Sequence, residues 1–212
     1  MQLAGAYNVQ ARFNLIMNNT FGVQGGYNDD FRLNWWGDPT GPYEPANNPN
    51  GLGDKIQGNI IFSPWLTAPP SVALSASGSN EMLKFSEVGV NVYISGSAKI
   101  YVAEYSSNPG AELANGIGKY VDIHIPDFSA LNSIELRVYY IDEDVAALGL
   151  EENSLRMYWW NGGTWLLCSN TGVNTSENYV WAVIGNNTSP SLSNLAGTPF
   201  SQLVNLLYQS AA

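Results

Sequence analysis

The chain is poor in the residues that most often carry chemistry. It has one cysteine, one histidine and only 8 lysines and arginines in 212 residues. A single cysteine, Cys168, excludes an intramolecular disulfide. A single histidine, His124, excludes zinc sites built on several imidazoles, and it leaves any Ser-His-Asp or Cys-His arrangement hanging on one residue. Charged residues make up 12%, about half the usual share, which disfavours long solvated helices. No run approaches the roughly eighteen apolar residues of a membrane-spanning helix. The opening Met-Gln-Leu-Ala-Gly-Ala lacks the basic start and apolar centre of a signal peptide. No glycine-rich phosphate loop links a strand to a helix, so nucleotide binding has no support.

What the chain does have points to strands. Hydrophobic residues at 45% and aromatics at 12% suit a packed core. Asn, Gly, Ser and Thr stand where lysine and glutamate usually would, which favours short strands and tight turns. The expected fold class is all-β. The net charge is −10, from 18 acidic and 8 basic residues. Such a surface repels phosphate backbones, which excludes nucleic acid as a partner and leaves carboxylates for hard cations such as calcium. No cofactor is required by any motif. Asn-x-Ser/Thr sequons begin at Asn18, Asn174, Asn186 and Asn187. They are candidate glycosylation sites of an extracellular or cell-surface chain.

Composition changes near residue 67. Residues 1–66 hold short alternating segments between Asn and Gly corners, which suits one or two turns of a parallel β-helix. Residues 34–66 contain five prolines. Because proline cannot donate to a ladder, this stretch reads as a cap over the last turn. Thr67-Ala68-Pro69-Pro70-Ser71 is a stiff linker. Residues 72–212 carry strand signals at all-β spacing, expected at 72–77, 81–88, 90–95, 98–105, 119–125, 133–141, 155–160, 164–169, 178–184 and near 202–208. Trp160-Asn161-Gly162-Gly163 closes a hairpin, and Asp142–Leu148 starts with three acids and ends at Gly149 as a helix does.

The run Asn34-Trp35-Trp36-Gly37-Asp38-Pro39-Thr40-Gly41-Pro42-Tyr43, with Asn48-Pro49-Asn50-Gly51 and Phe62-Ser63-Pro64-Trp65-Leu66, resembles the C-terminal end of right-handed parallel β-helix repeat proteins. These are pectate-lyase-like surface proteins of bacteria and archaea. The later stretches Tyr140–Val145, Glu152–Tyr158 and Gly197–Phe200 resemble the β-sandwich modules that follow such β-helices. The resemblance implies a short β-helix remnant with a cap, followed by an antiparallel β-sandwich, on a cell exterior. Most of the β-helix body is missing, so an inherited lyase activity is not expected, and the chain reads as a non-enzyme.

Few residues qualify for a site. Alternation places Val121, Ile123 and Ile125 inward and Asp122 and His124 outward. Cys168 ends an apolar strand and packs as a small hydrophobe. Asp29 and Asp30 sit in a Gly-flanked stretch, either a solvated turn or a calcium site, and Asp142 and Asp144 are helix-start acids able to hold an ion. Adjacent Trp159 and Trp160 must point to opposite faces, which makes one of them core and the other a candidate for stacking on a sugar. Leu3, Val9 and Phe13 near the start, and Leu203, Val204, Leu206 and Leu207 near the end, are candidates for pairing with another copy. Two functions are compatible with these features. One is a structural subunit of a filament, sheath or surface layer that assembles through strands or β-helix ends. The other is a carbohydrate-binding or adhesive terminal module of a longer β-helix protein, with cell-surface glycans as partners.

Overall fold

The fold is taken from a computed structural model, which describes residues 2–3, 8–113 and 115–204, without the side chains of residues 2, 3, 27 and 204. The described chain is all-β, with one α-helix, Asp142–Ala147, where the acids lead and Gly149 follows at φ 63°. It divides into two units: the residues up to Ala73 together with Tyr105–Pro109, and Leu74–Glu104 together with the residues from Gly110 onward.

The first unit is built by parallel pairing. Its strands are β1 (Gln2–Leu3), β2 (Val23–Asp30), β3 (Pro42–Tyr43) and β4 (Gly53–Ile61), in the order β1-β2-β4-β3. Strand β4 lies inside the segment read from sequence as a cap unable to extend a sheet, and it is an internal strand of this one. The prolines explain the difference. They cluster at 39, 42, 45 and 49 and return at 64, so residues 50–63 keep every backbone donor. The core is a stack of Val23, Phe31, Trp36, Ile56, Ile60 and Phe62, with Val9, Ala11, Ile16 and Trp65 packed against it.

The second unit is a curled, mainly antiparallel sheet of ten strands. They are β5 (Pro70–Ser79), β6 (Met82–Phe85), β7 (Val90–Tyr105), β8 (Gly116–His124), β9 (Leu131–Tyr139), β10 (Leu155–Trp160), β11 (Trp165–Leu167), β12 (Thr171–Asn174), β13 (Tyr179–Gly185) and β14 (Ala196–Val204). Their order is β11-β10-β14-β8-β7-β9-β13-β12, with β5 and β6 also on β7. The two ends of that order approach each other: Met157 N–H of β10 donates to Thr171 Oγ1 of β12 at 2.9 Å, while Cys168 N–H extends the β10–β11 hairpin to the Met157 carbonyl at 3.0 Å. Alternation is clean on β9, β10 and β13, which bury Ile134, Leu136, Val138, Leu155, Met157, Val180, Ala182 and Ile184.

Several sequence expectations need correction here. The strands expected at 90–95 and 98–105 are one, bent at Gly96, where φ is 106° and the register with β9 shifts. A Cβ on Gly96 would collide with the Ala130 carbonyl, so the glycine marks a bulge and not a turn. Strand β12 was not foreseen, because Thr-Gly-Val-Asn is short and glycine-broken. The last strand starts at Ala196, not near 202. Asp122 and His124 are buried, at 1% and 8% exposure, like their neighbours Val121 and Ile123. Alternation misplaced them because residues 121–124 of β8 and Ile125 after it are all buried, so both faces are covered there, with the Tyr101 ring 5.7 Å from that of His124.

Candidate interaction face

In the first unit the chain passes the same positions three times. Asn8 and Asn28 both adopt left-handed backbone, at φ 56° and 57°, and so do Phe13 and Leu33 at 56° and 57°. Each pair is twenty residues apart. Between these corners, Gln10 pairs in parallel with Asp30, and Leu15 with Trp35. A third pass follows at a longer interval: Asn59 donates its side-chain amide to Asn28 Oδ1 (2.7 Å), Phe31 N–H donates to the Ile61 carbonyl (2.7 Å) and Leu33 N–H to the Pro64 carbonyl (2.8 Å). The extra length lies in residues 37–52, which fold back so that Trp65 Nε1 donates to the Pro39 carbonyl at 3.1 Å.

Side chains repeat with the backbone. Asn34 is fully buried; its Oδ1 accepts both the backbone N–H and the side-chain amide of Asn14 (2.9 and 2.8 Å), while its own amide donates to the Phe31 and Ala11 carbonyls. Arg12 and Arg32, also twenty apart, both bind the Asp30 carboxylate. Burial alone would raise the Asp30 pKa, but hydrogen bonds from Arg32 and Arg12 hold it down to about 2. The signal for this repeat was present in the sequence as Asn-x-x-x-Arg-x-Asn at 8–14 and again at 28–34, but it was missed because the apolar positions between differ in size.

Among the described residues, the first pass is bonded on one side only. Asp30 N–H donates to the Val9 carbonyl and Ala11 N–H to Asp30; Trp35 N–H donates to the Asn14 carbonyl and Ile16 N–H to Trp35. In parallel pairing this turns the N–H and C=O of the bridging residues, Gln10 and Leu15, the other way. Those groups have no partner among the described residues, and both residues are exposed. Beside them lies a groove of about 450 Å³ lined by Val9, Ala11, Asn14, Ile16, Val23 and Phe31, with no ionisable side chain in its lining. Leu15 and Met17 stand out of this region at 55% and 43% exposure.

Of the residues expected to pair with another copy, Val9 lines this groove. Phe13 and Leu203 are corrections: they are buried at 5% and 6%, and Leu203 lies in β14, which is hydrogen-bonded on both sides by β10 and β8. Leu3 and Val204 are paired through their backbones, with Gly25 and Leu155. Leu206 and Leu207 lie outside the described residues.

The carboxylates are also rearranged. Asp29 and Asp30 end strand β2 and are buried, at 0% and 8%, so neither forms a solvated turn. Asp29 accepts the Val9 N–H at 2.7 Å, and two guanidinium groups occupy Asp30. Asp142 and Asp144 remain exposed on the helix start. No group of three or more His, Cys, Asp or Glu side chains suited to a metal occurs among the described residues. Among the sequons, Asn18, Asn186 and Asn187 are exposed, whereas Asn174 is half-buried and bonded to the Tyr179 hydroxyl.

The second unit has two lesser features. Trp159 is buried at 8%, which removes it as a stacking surface. Trp160 and Trp165 are half-buried, their rings 5.6 Å apart and inclined by 54°, with Tyr120 6.1 Å from Trp165. A polar hollow of about 290 Å³ is lined by Glu104, Lys119, Tyr139, Tyr140 and Asp144. Burial lowers the Lys119 pKa against the opposing influence of Glu104. Tyr140 donates to Glu152 at 2.5 Å, and burial together with that carboxylate raises its phenol well above the ordinary range. No family model, curated protein or solved structure matches this chain.

Proposed function

We propose that this chain is an extracellular structural subunit that self-assembles, and that the first pass of its parallel unit is the surface on which a second copy docks. On this reading the parallel unit is the closing end of a β-helix with residues 37–52 as its cap, and the antiparallel unit is a β-sandwich. The observation that carries the proposal is the half-bonded edge at Gln10 and Leu15 beside an uncharged apolar groove. Exposed strand edges recruit other strands, and exposed apolar patches mark interaction surfaces.

A second copy is the occupant that fits. Two chains of net charge −10 repel each other over most of their surfaces. This face carries no ionisable lining, so the two chains meet here without opposing charges. It also offers donors and acceptors in equal number at Gln10 and Leu15, which makes it self-complementary, as a two-fold interface requires. No cofactor and no catalysis enters this role. Sedimentation velocity over a concentration series tests it. The wild-type chain is expected to associate, and Leu15→Lys with Met17→Lys is expected to hold it monomeric. A wild-type chain that stays monomeric at high concentration overturns the reading.

The second reading, a module that binds cell-surface glycans, draws on the half-buried pair Trp160 and Trp165. Indole faces of this kind stack on sugar rings. Glycan-array binding that disappears in Trp160→Ala favours it, and an array without signal removes it.

A further inference from the structure

We infer that Asn14 sets the register of this association, its Oδ1 accepting an N–H from the edge of the second copy. The inference rests on the self-assembly reading and assigns a specificity-determining residue within the same face. The reasoning starts from what Asn34 does one repeat later. Its Oδ1 receives two hydrogen bonds from the preceding pass, a backbone N–H and a side-chain amide, while its own amide protons go to carbonyls around the corner.

Asn14 is placed the same way. Its amide donates to the Arg12 carbonyl at 2.9 Å and to Asn34 Oδ1 at 2.8 Å, which commits both of its protons. Its Oδ1 has no partner among the described residues, Asn14 is exposed, and it lines the apolar groove. The amide is therefore fixed by two bonds and can contribute only an acceptor. Docking on the groove without an N–H donor there would desolvate that oxygen and leave it unsatisfied, which weakens association. The second copy has such donors in hand, since the N–H groups of Gln10 and Leu15, which have no partner among the described residues, lie on the same edge. Registers that bring one of them to Asn14 are favoured over the apolar slides that the groove alone would tolerate.

The test compares the full-length wild-type chain with Asn14→Ala and with the Leu15→Lys, Met17→Lys double variant, by sedimentation. Asn14→Ala is expected to raise the dissociation constant about tenfold or more, the equivalent of about 1.4 kcal/mol. If the wild type associates, the lysine variant is monomeric and Asn14→Ala associates as tightly as wild type, the register role is overturned while the assembly reading stands. If the wild type is monomeric, or the lysine variant associates unchanged, the reading itself falls and takes this inference with it. A wild-type measurement guards against misfolding of Asn14→Ala. In a 1:1 mixture of isotope-labelled and unlabelled chains, filtered NOEs are expected from the Asn14 side-chain amide to the unlabelled copy. Their absence in an associated sample overturns the inference.

Discussion

The two units solve the same problem, satisfying the backbone of a β structure, in opposite ways. The antiparallel unit curls until β10 and β12, near its two ends, are bonded through Met157 and Thr171. The parallel unit stacks passes of the chain, and each pass is satisfied by the next. Stacking has no built-in closure, so one pass is always left half-bonded. Here residues 37–52, inserted before the last pass, fold back beside it, with β3 paired to β4 and Trp65 bonded to the Pro39 carbonyl. The N–H and C=O of Gln10 and Leu15 in the first pass, by contrast, have no partner among the described residues. A curled sheet can serve as a platform, whereas an open stack invites addition. That contrast is why the proposed docking surface falls on the smaller unit.

The largest effects should separate the two cores. Trp36→Ala empties the centre of the parallel stack, and Phe200→Ala does the same in the antiparallel sheet; both residues are 0% exposed. Each should lose about 3–5 kcal/mol of stability. Amide exchange read by mass spectrometry should show protection lost at 23–66 in the first variant and at 116–204 in the second. Equal loss of protection in both units from either variant would show one cooperative structure and dissolve the comparison.

Next comes the Asn14–Asn34 ladder of the parallel unit. Asn34→Ala removes the side-chain bonds to Asn14, Ala11 and Phe31 from a fully buried site. The expected cost is about 2–3 kcal/mol, measured by urea unfolding followed through tryptophan fluorescence. A loss below about 0.5 kcal/mol would mean that apolar stacking alone holds the passes together.

Acid should act unevenly as well. Asp30 titrates at about 2 in the folded chain, against 3.8 for the free side chain. A carboxylate with a depressed folded pKa gives stability that is present in full above pH ~4 and is lost as pH falls through 2. The shift corresponds to about 2 kcal/mol. Asp30→Asn should remove this contribution at neutral pH and flatten the dependence below pH ~4. An unchanged acid limb in the variant would assign the acid sensitivity to other carboxylates.

How much of this was legible in the sequence follows from the same contrast. The antiparallel strands were readable because a period-2 pattern and Asn-Gly turns are local signals; β10 and the 155–167 hairpin appear at the expected residues. Gly96 misled because a bulge and a turn use the same residue for the same positive φ. Asp122 and His124 misled because alternation reports one covered face and cannot report two. In the parallel unit the informative signal is not local. Asn14 and Asn34, or Arg12 and Arg32, acquire meaning only when compared twenty positions apart, and Asp30 looks like a turn residue until both arginines are placed on it. The groove lies a level further out, because an unbonded edge is a property of the stack and not of any side chain.

The last probe, labelling of Cys168, sharpens the comparison because it reports on one unit alone. The thiol is 2% exposed, and burial raises its pKa well above the ordinary range. Only the thiolate attacks alkylating reagents, so the folded chain should resist maleimide at pH 8 and label only when the antiparallel unit opens. Phe200→Ala should therefore speed labelling at least tenfold, since it destabilises the sheet that encloses the thiol. Trp36→Ala should leave the rate near that of wild type, because the parallel unit can loosen without exposing Cys168 if the two open independently. Mass spectrometry of timed samples gives both rates. Acceleration of Cys168 labelling by Trp36→Ala to the same degree would mean that the open stack and the curled sheet share one unfolding equilibrium, and the half-bonded first pass would then be held by the stability of the whole chain.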